Sequence, residues 1–175
     1  MIVLQIIIVI IAIILLAAAM LSKNYTIEAD IVINRPKHDV YDYLKYLKNS
    51  EHYNKWVMTD PNLRKEYIGT DATVGFVYKW DSDMKEVGQG EQEIKGLTEN
   101  ERIDFEIRFV KPFKNVCGSS LVLKSAGDSQ TNVFFSFFGK RNFAMRIFHL
   151  LFNLKKVLQK DLYASLVNLK NVLEK

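Results

Sequence analysis

The side chains able to do chemistry are few, and their spacing argues against most of it. Zinc needs three or four His, Cys or carboxylate ligands brought together, usually from paired positions a few residues apart. His38, His52 and His149 are far apart, and Cys117 is the only cysteine, so no such pairing exists and no metal is expected. A serine or cysteine nucleophile needs a base and a sharp turn to present it. Cys117-Gly118-Ser119-Ser120 lies inside an alternating stretch and has neither, so Cys117 reads as a packing residue. No glycine loop of phosphate-cradling type is present, and no cofactor is expected. General acid–base work would fall to Tyr78, Glu93 or Asp104, and alternation points both carboxylates away from the apolar face.

What remains is recognition by apolar walls. Phe76, Tyr78 and Trp80 fall on one face of a stretch of period two, and Phe105, Ile107 and Phe109 on one face of another. Small-molecule sites are mostly apolar with a few placed polar groups. Gln92 and Thr131 are the uncharged polar residues expected near these rings, and Tyr78 and Trp80 each bring a donor that needs a partner when buried. Either these aromatics are ordinary core or they line a ligand cavity. The acidic stretch Asp81, Asp83, Glu86, Glu91 and Glu93 reads as the solvated side of a hairpin.

The elements that must position these side chains follow from periodicity. Residues 25 to 34 alternate, with Ile27, Ala29, Ile31 and Ile33 on one face. Pro36 suits the start of a helix carrying Val40, Tyr43, Leu44 and Leu47. A short helix or turn follows near Trp56. From residue 63 to 138 the period is two, with Val74 placed on the Phe76 face. Glu99-Asn100-Glu101 and Ala126-Gly127-Asp128 mark hairpin loops, and Gly88 and Gly90 mark a bend or bulge. Ile147, Leu151, Leu154, Leu158, Leu162, Leu166, Leu169 and Leu173 then step by three and four, which predicts one long helix with a single apolar stripe.

Charge divides the 175 residues unevenly. Residues 1 to 21 contain no charged side chain, and all 24 basic and 20 acidic residues follow them. About 20 apolar residues make roughly 30 Å of helix, enough to cross a bilayer core. A cleaved signal peptide is the rival, since Ala17, Ala18 and Ala19 resemble a cleavage site, but no basic residue precedes Lys23 and the apolar run fills the segment. Lys23, Arg35 and Lys37 behind the span predict a cytoplasmic domain. Residues 140 to 175 carry eight basic and two acidic side chains. That block reads as the solvated face of a helix, with a membrane-facing surface as the alternative and no nucleic-acid partner. The apolar residues around Phe143, Ile147, Phe148, Leu151 and Phe152 occupy too many sides for one stripe, and such a segment lies on anionic lipid, gates a cavity mouth, or is buried.

The order strand, two short helices, about six antiparallel strands and a long helix resembles the START-like helix-grip superfamily, and within it the polyketide cyclase/dehydrase and lipid-transport (SRPBCC) branch. The resemblance covers residues 25 to 175. It rests on IVINRPKHDVYDYLKYLKN, on Trp56 and Asp60-Pro61, on Gly69, Gly75, Trp80, Gly88 and Gly90 in order, on Lys111-Pro112-Phe113, and on the spacing of Leu166, Leu169, Lys170, Leu173 and Glu174. It departs from the branch at Tyr53-Asn54-Lys55-Trp56, where a Trp-Pro-x-Trp turn is common, and at Phe135, where tryptophan is expected. The resemblance implies an α+β helix-grip fold: a curved antiparallel sheet of about seven strands around a long C-terminal helix, with an apolar cavity between them. The expected organisation is a transmembrane anchor over residues 1–22 and a helix-grip domain over residues 23–175. The expected ligand is a hydrophobic small molecule or lipid, touched by Phe76, Tyr78, Trp80, Gln92, Phe105, Ile107, Phe109, Thr131, Phe135, Ile147 and Leu151. A cyclase or dehydratase using the same cavity, and a protein-interaction domain with a filled core, are the competing functions; oligomeric state is left open.

Overall fold

The computed structural model describes every residue from Met1 to Lys175. Helix α1, Ile2–Met20, is long and apolar enough to cross a membrane. It does not serve as a core helix, because only Ala18 of its residues is buried.

Strand β1, Asn24–Ile33, turns Ile27, Ala29 and Ile33 inward, as its alternation requires. Pro36 stands at the cap of α2, Lys37–Leu44, which buries Val40, Tyr41 and Leu44. A 3-10 turn, Leu47–His52, follows; the Asp71 carboxylate accepts from the Leu47 and Lys48 amides at 2.8 and 3.1 Å and satisfies its free N–H groups. In α3, Lys55–Thr59, the Asn54 side chain accepts from the Trp56 amide at 3.0 Å.

Six further strands complete the sheet: β2 Arg64–Ile68, β3 Val77–Asp81, β4 Gln89–Thr98, β5 Arg102–Lys111, β6 Asn115–Gly127 and β7 Gln130–Lys140. All neighbouring pairs are antiparallel, in the order β1-β7-β6-β5-β4-β3-β2, so β7 returns to lie beside β1. Val74 does not join Phe76 on the inner face. Gly75 adopts φ +91° and turns the backbone, so β3 begins only at Val77 and Val74 is exposed.

The C-terminal stripe is two helices rather than one. α4, Phe143–Phe152, ends at Asn153, whose left-handed backbone (φ 46°, ψ 43°) redirects the chain into α5, Leu154–Leu173. Asparagine tolerates this conformation better than most residues. Only α5 lies in the sheet. Leu162, Leu166 and Leu169 are fully buried against it, each contributing about 1.5–3 kcal/mol relative to exposure. Gln159 donates to the Glu28 carbonyl at 3.1 Å and Lys170 to the Val32 carbonyl at 2.6 Å, which fixes α5 along β1. Arg35 donates to the Leu173 carbonyl, placing a cation at the helix C-terminus where the dipole favours it.

Candidate functional site

A cavity of about 240 Å³ lies between the inner face of the sheet, α5, α3 and the β3–β4 loop. Sixteen residues line it, twelve of them hydrophobic. Strand pairing explains how they meet. Tyr78 sits opposite Gln92, which sits opposite Ile107; Trp80 sits opposite Gly90, which sits opposite Phe109. The next strands supply Ser119, Phe135 and Phe137, α5 supplies Leu158 and Leu162, and Trp56 and Val57 of α3 close one side.

Gly90 makes the Trp80 position possible. A Cβ there would lie 2.6 Å from the indole Cζ2 and 2.7 Å from the Arg108 carbonyl oxygen. The indole thus lies over bare backbone, its Nε1 donating to the Val87 carbonyl at 3.2 Å. Phe109 meets it edge-on, with centroids 5.9 Å apart and planes at 80°.

Two buried hydroxyls on the cavity wall, Tyr78 Oη and Ser119 Oγ, have no hydrogen-bond partner within the protein. Burial foremost, then the neighbouring Tyr67 and Glu51, pushes the Tyr78 phenol well above its ordinary value, so it stays a neutral donor and acceptor. The carboxylates weighed as acids or bases point elsewhere. Glu93 accepts from Arg108 at 2.8 Å and from Lys95 at 3.0 Å, and these contacts, Arg108 first, hold its carboxyl below the usual range. Asp104 is held by Arg102 at 2.8–2.9 Å. Arg108 also binds Glu91 and Glu106, and Arg64 binds Asp81 and Asp83, so most of the acidic stretch is ion-paired. Glu86, at the cavity rim, has no such partner. The Cys117 thiol is buried and pushed up to about 12, by burial first and the Glu106 charge second.

Of the residues expected to touch a ligand, the structure gathers Tyr78, Trp80, Gln92, Ile107, Phe109 and Phe135 on this wall. Five lie elsewhere. Phe76 and Phe105 are on the correct face but one layer deeper, in solid core, 1% and 5% exposed. Thr131 is fully buried at the far end of β7, its hydroxyl donating to the Arg35 carbonyl at 2.8 Å, a structural bond. Ile147 and Leu151 are on α4, carried away from the cavity by the break at Asn153. Sequence reasoning left out Ser119, Phe137, Leu158, Leu162 and the α3 side. For Ser119 a signal existed: Cys117, Ser119, Leu121 and Leu123 alternate inward, and a serine among them is a polar group without an obvious partner.

No protein-family model matches the chain, and no curated protein does. Solved structures do resemble it. Protein MLL2253 from Mesorhizobium loti is 14% identical with a TM-score of 0.62, the match covering 86% of this chain and 97% of that one. Protein TTHA0849 from Thermus thermophilus is 17% identical with a TM-score of 0.60, covering 85% and 97%. The Aha1 dimer from Colwellia psychrerythraea is 17% identical with a TM-score of 0.56, covering 86% and 96%. The chain therefore has the START-like helix-grip fold. Identities this low carry the architecture and no activity with it.

Proposed function

We propose that this chain is a membrane-anchored module that binds one small, uncharged, mainly apolar molecule bearing a hydrogen-bonding group. The observation that carries the reading is the cavity: twelve of its sixteen lining residues are hydrophobic, and two of the residues lining it, Tyr78 and Ser119, carry buried hydroxyls without a partner. A buried hydroxyl without a partner is costly, and a ligand hydroxyl or carbonyl reaching Tyr78 or Ser119 removes that cost at the residue it reaches. The volume lies below the roughly 300–1,000 Å³ of ordinary drug-sized sites, which favours a compact occupant. The occupant contacts Tyr78, Trp80, Gln92, Ile107, Phe109, Phe135 and Ser119.

Two features support retention of α1 as the anchor of a domain formed by residues 23–175. Its 19 residues reach about 28 Å. Its C-terminal end is gripped by the domain: Arg146 donates to the Ala19 and Leu21 carbonyls at 3.1 and 3.2 Å, and Arg141 to the Ser22 carbonyl at 2.9 Å. The Lys and Arg residues clustered at this exit favour a cytoplasmic domain.

The test uses the full chain in lipid nanodiscs. Both tryptophans, Trp56 and Trp80, line the cavity, so intrinsic fluorescence reports its filling directly. Native mass spectrometry and solvent extraction are expected to recover a neutral apolar molecule at one per chain, and adding it back to stripped protein should change the tryptophan emission. Recovery of nothing, with emission unmoved by a panel of small alcohols and ketones, overturns the proposal.

A further inference from the structure

Helix α4 is amphipathic in the reverse of the usual sense. Its polar residues face the protein: Arg146 caps α1, and His149 lies 3.1 Å from Arg141 and packs against the Tyr25 ring. Its apolar residues face out. At 100° per residue, the arc from Leu150 through Phe143, Leu151 and Phe148 to Phe152 covers about 200° of the helix surface and holds no polar side chain. All five are exposed, Leu151 and Phe152 most, at 55%. A contiguous exposed patch of this kind marks an interaction site.

Three observations name its occupant. First, the patch is continuous with α1: the two helices pack together, and Arg146 joins α4 to the last carbonyls of α1, so α4 sits at the depth where α1 leaves the apolar phase. Second, strand register brings another greasy tip to the same end of the sheet. Asn24 pairs with Lys140 beside the α1 exit, and Phe109 pairs with Asn115 around the β5–β6 loop, where Phe113 is 65% exposed between Lys111 and Lys114. Third, lysines gather at this end without ion partners. Lys23, Lys111, Lys114, Lys140, Lys155 and Lys156 form no ion pair, while Asp81 and Asp83, at the same end of the sheet, are neutralised by Arg64 and only Glu86 of that acidic stretch is left unpaired. No acidic residue occurs between Asp128 and Asp161.

From these we infer that the apolar face of α4 and the Phe113 loop insert into the headgroup region of the leaflet from which α1 emerges, and that the surrounding lysines select anionic lipid. At ten residues α4 is too short to span and suits an interfacial position. The cavity rim residues Glu86 and Val87 precede Gly88, which abuts Lys111 and Pro112, so the rim shares this end of the domain and lies on the bilayer surface. The inference rests on the anchor and not on what the cavity holds.

Single cysteines at Leu151→Cys, Phe113→Cys and, at the opposite end, Asp128→Cys, each labelled with an environment-sensitive dye in the full chain in nanodiscs, test it. Cys117 is buried and remains unlabelled. The expected result is blue-shifted emission at positions 151 and 113, with quenching by headgroup-proximal spin-labelled lipid roughly threefold that at position 128. With roughly a third phosphatidylglycerol in the disc, Lys155→Glu with Lys156→Glu should shift the insertion equilibrium at position 151 roughly tenfold toward water, and in pure phosphatidylcholine much less. Chains held in discs with position 151 no more quenched than 128 overturn this inference and leave the anchor standing. Failure of the chain to stay with discs overturns both. A blue shift without lipid quenching that grows with chain density assigns the face to a second copy and overturns it too. Quenching indifferent to the charge reversal overturns the anionic selectivity.

Discussion

Removing one oxygen atom separates a cavity built for a ligand from a gap left by imperfect packing. Tyr78 is 3% exposed, and its ring is held by Tyr67 at 5.6 Å and Trp80 at 6.1 Å, contacts that phenylalanine keeps. Its hydroxyl has no partner in the protein. A buried hydroxyl left unsatisfied costs about 1–3 kcal/mol, so Tyr78→Phe should stabilise the ligand-free chain, by about 1 kcal/mol at the low end. For a chain of this size that is a rise of roughly 2–4 °C in melting temperature. Toward a ligand the sign reverses. A neutral hydrogen bond contributes about 0.5–1.5 kcal/mol net, so the variant should bind an alcohol roughly two- to twelvefold more weakly and the matching alkane no more weakly. Calorimetry on stripped protein in nanodiscs gives the first number, and titration with octanol against octane gives the second. A fall in ligand-free melting temperature would refute the reasoning, because the hydroxyl would then already be satisfied. An equal loss for both probes would refute it as well, because the phenol would then be acting through shape.

Two further perturbations test the geometry around that wall. Gly90→Ala puts a Cβ 2.6 Å from Trp80 and 2.7 Å from the Arg108 carbonyl; the indole can swing but the carbonyl belongs to β5, so the variant should lose about 1–3 kcal/mol in chemical denaturation and shift the tryptophan emission. An unchanged midpoint would show that the sheet yields there freely. His149 should give stability a pH dependence. Burial first and the Arg141 guanidinium second hold its imidazole below the ordinary value of 6.5. The folded chain then binds fewer protons than the unfolded chain, so stability is full above that ordinary value and falls as pH drops through the depressed one. The carboxyls of Glu93 and Glu174 are themselves depressed below 4.5 and titrate later. Tyr25, the other group facing His149, has its phenol raised to about 12 by burial first. Melting measured at about pH 7.5 and about pH 5 should therefore show a smaller decline in His149→Gln than in the parent, and equal declines would remove His149 from the account.

The element order and the face of each strand were legible because both depend on periodicity alone. Ile27, Ile33, Ile103, Leu121 and Val133 all point where alternation puts them. The leucine spacing of α5 was legible for the same reason from Leu154 onward. It misled at Ile147 and Leu151 because stepping by three and four continues unbroken across Asn153, while the backbone does not. Nothing in hydrophobic spacing marks a single left-handed residue. Only the asparagine itself hinted at one, and that break carries two expected cavity residues onto α4, Leu151 onto its outward face and Ile147 half-buried.

Why the cavity lies where it does is a question of missing volume, and periodicity is silent about volume. Phe76, Tyr78 and Trp80 share a face, as do Phe105, Ile107 and Phe109. In the deeper layer Phe76 and Phe105 pack to exclusion with Ile94 alongside. One and two steps toward the open end, the inward positions of β4 fall to Gln92 and to Gly90, which has no side chain, and beside them Ser119, opposite Phe105, offers only a hydroxymethyl group. Large rings facing small residues across a curved sheet cannot close the gap, since α5 is held at a fixed distance by its own buried leucines farther along. The same small residues that open the space also bring its polarity, because Ser119 supplies one of the two unpartnered hydroxyls. Volume and hydrogen-bonding capacity at this wall thus share one cause in the sequence. Refilling it with Ser119→Leu would therefore remove volume and one of the two hydroxyls at once, where Tyr78→Phe removes only the other hydroxyl.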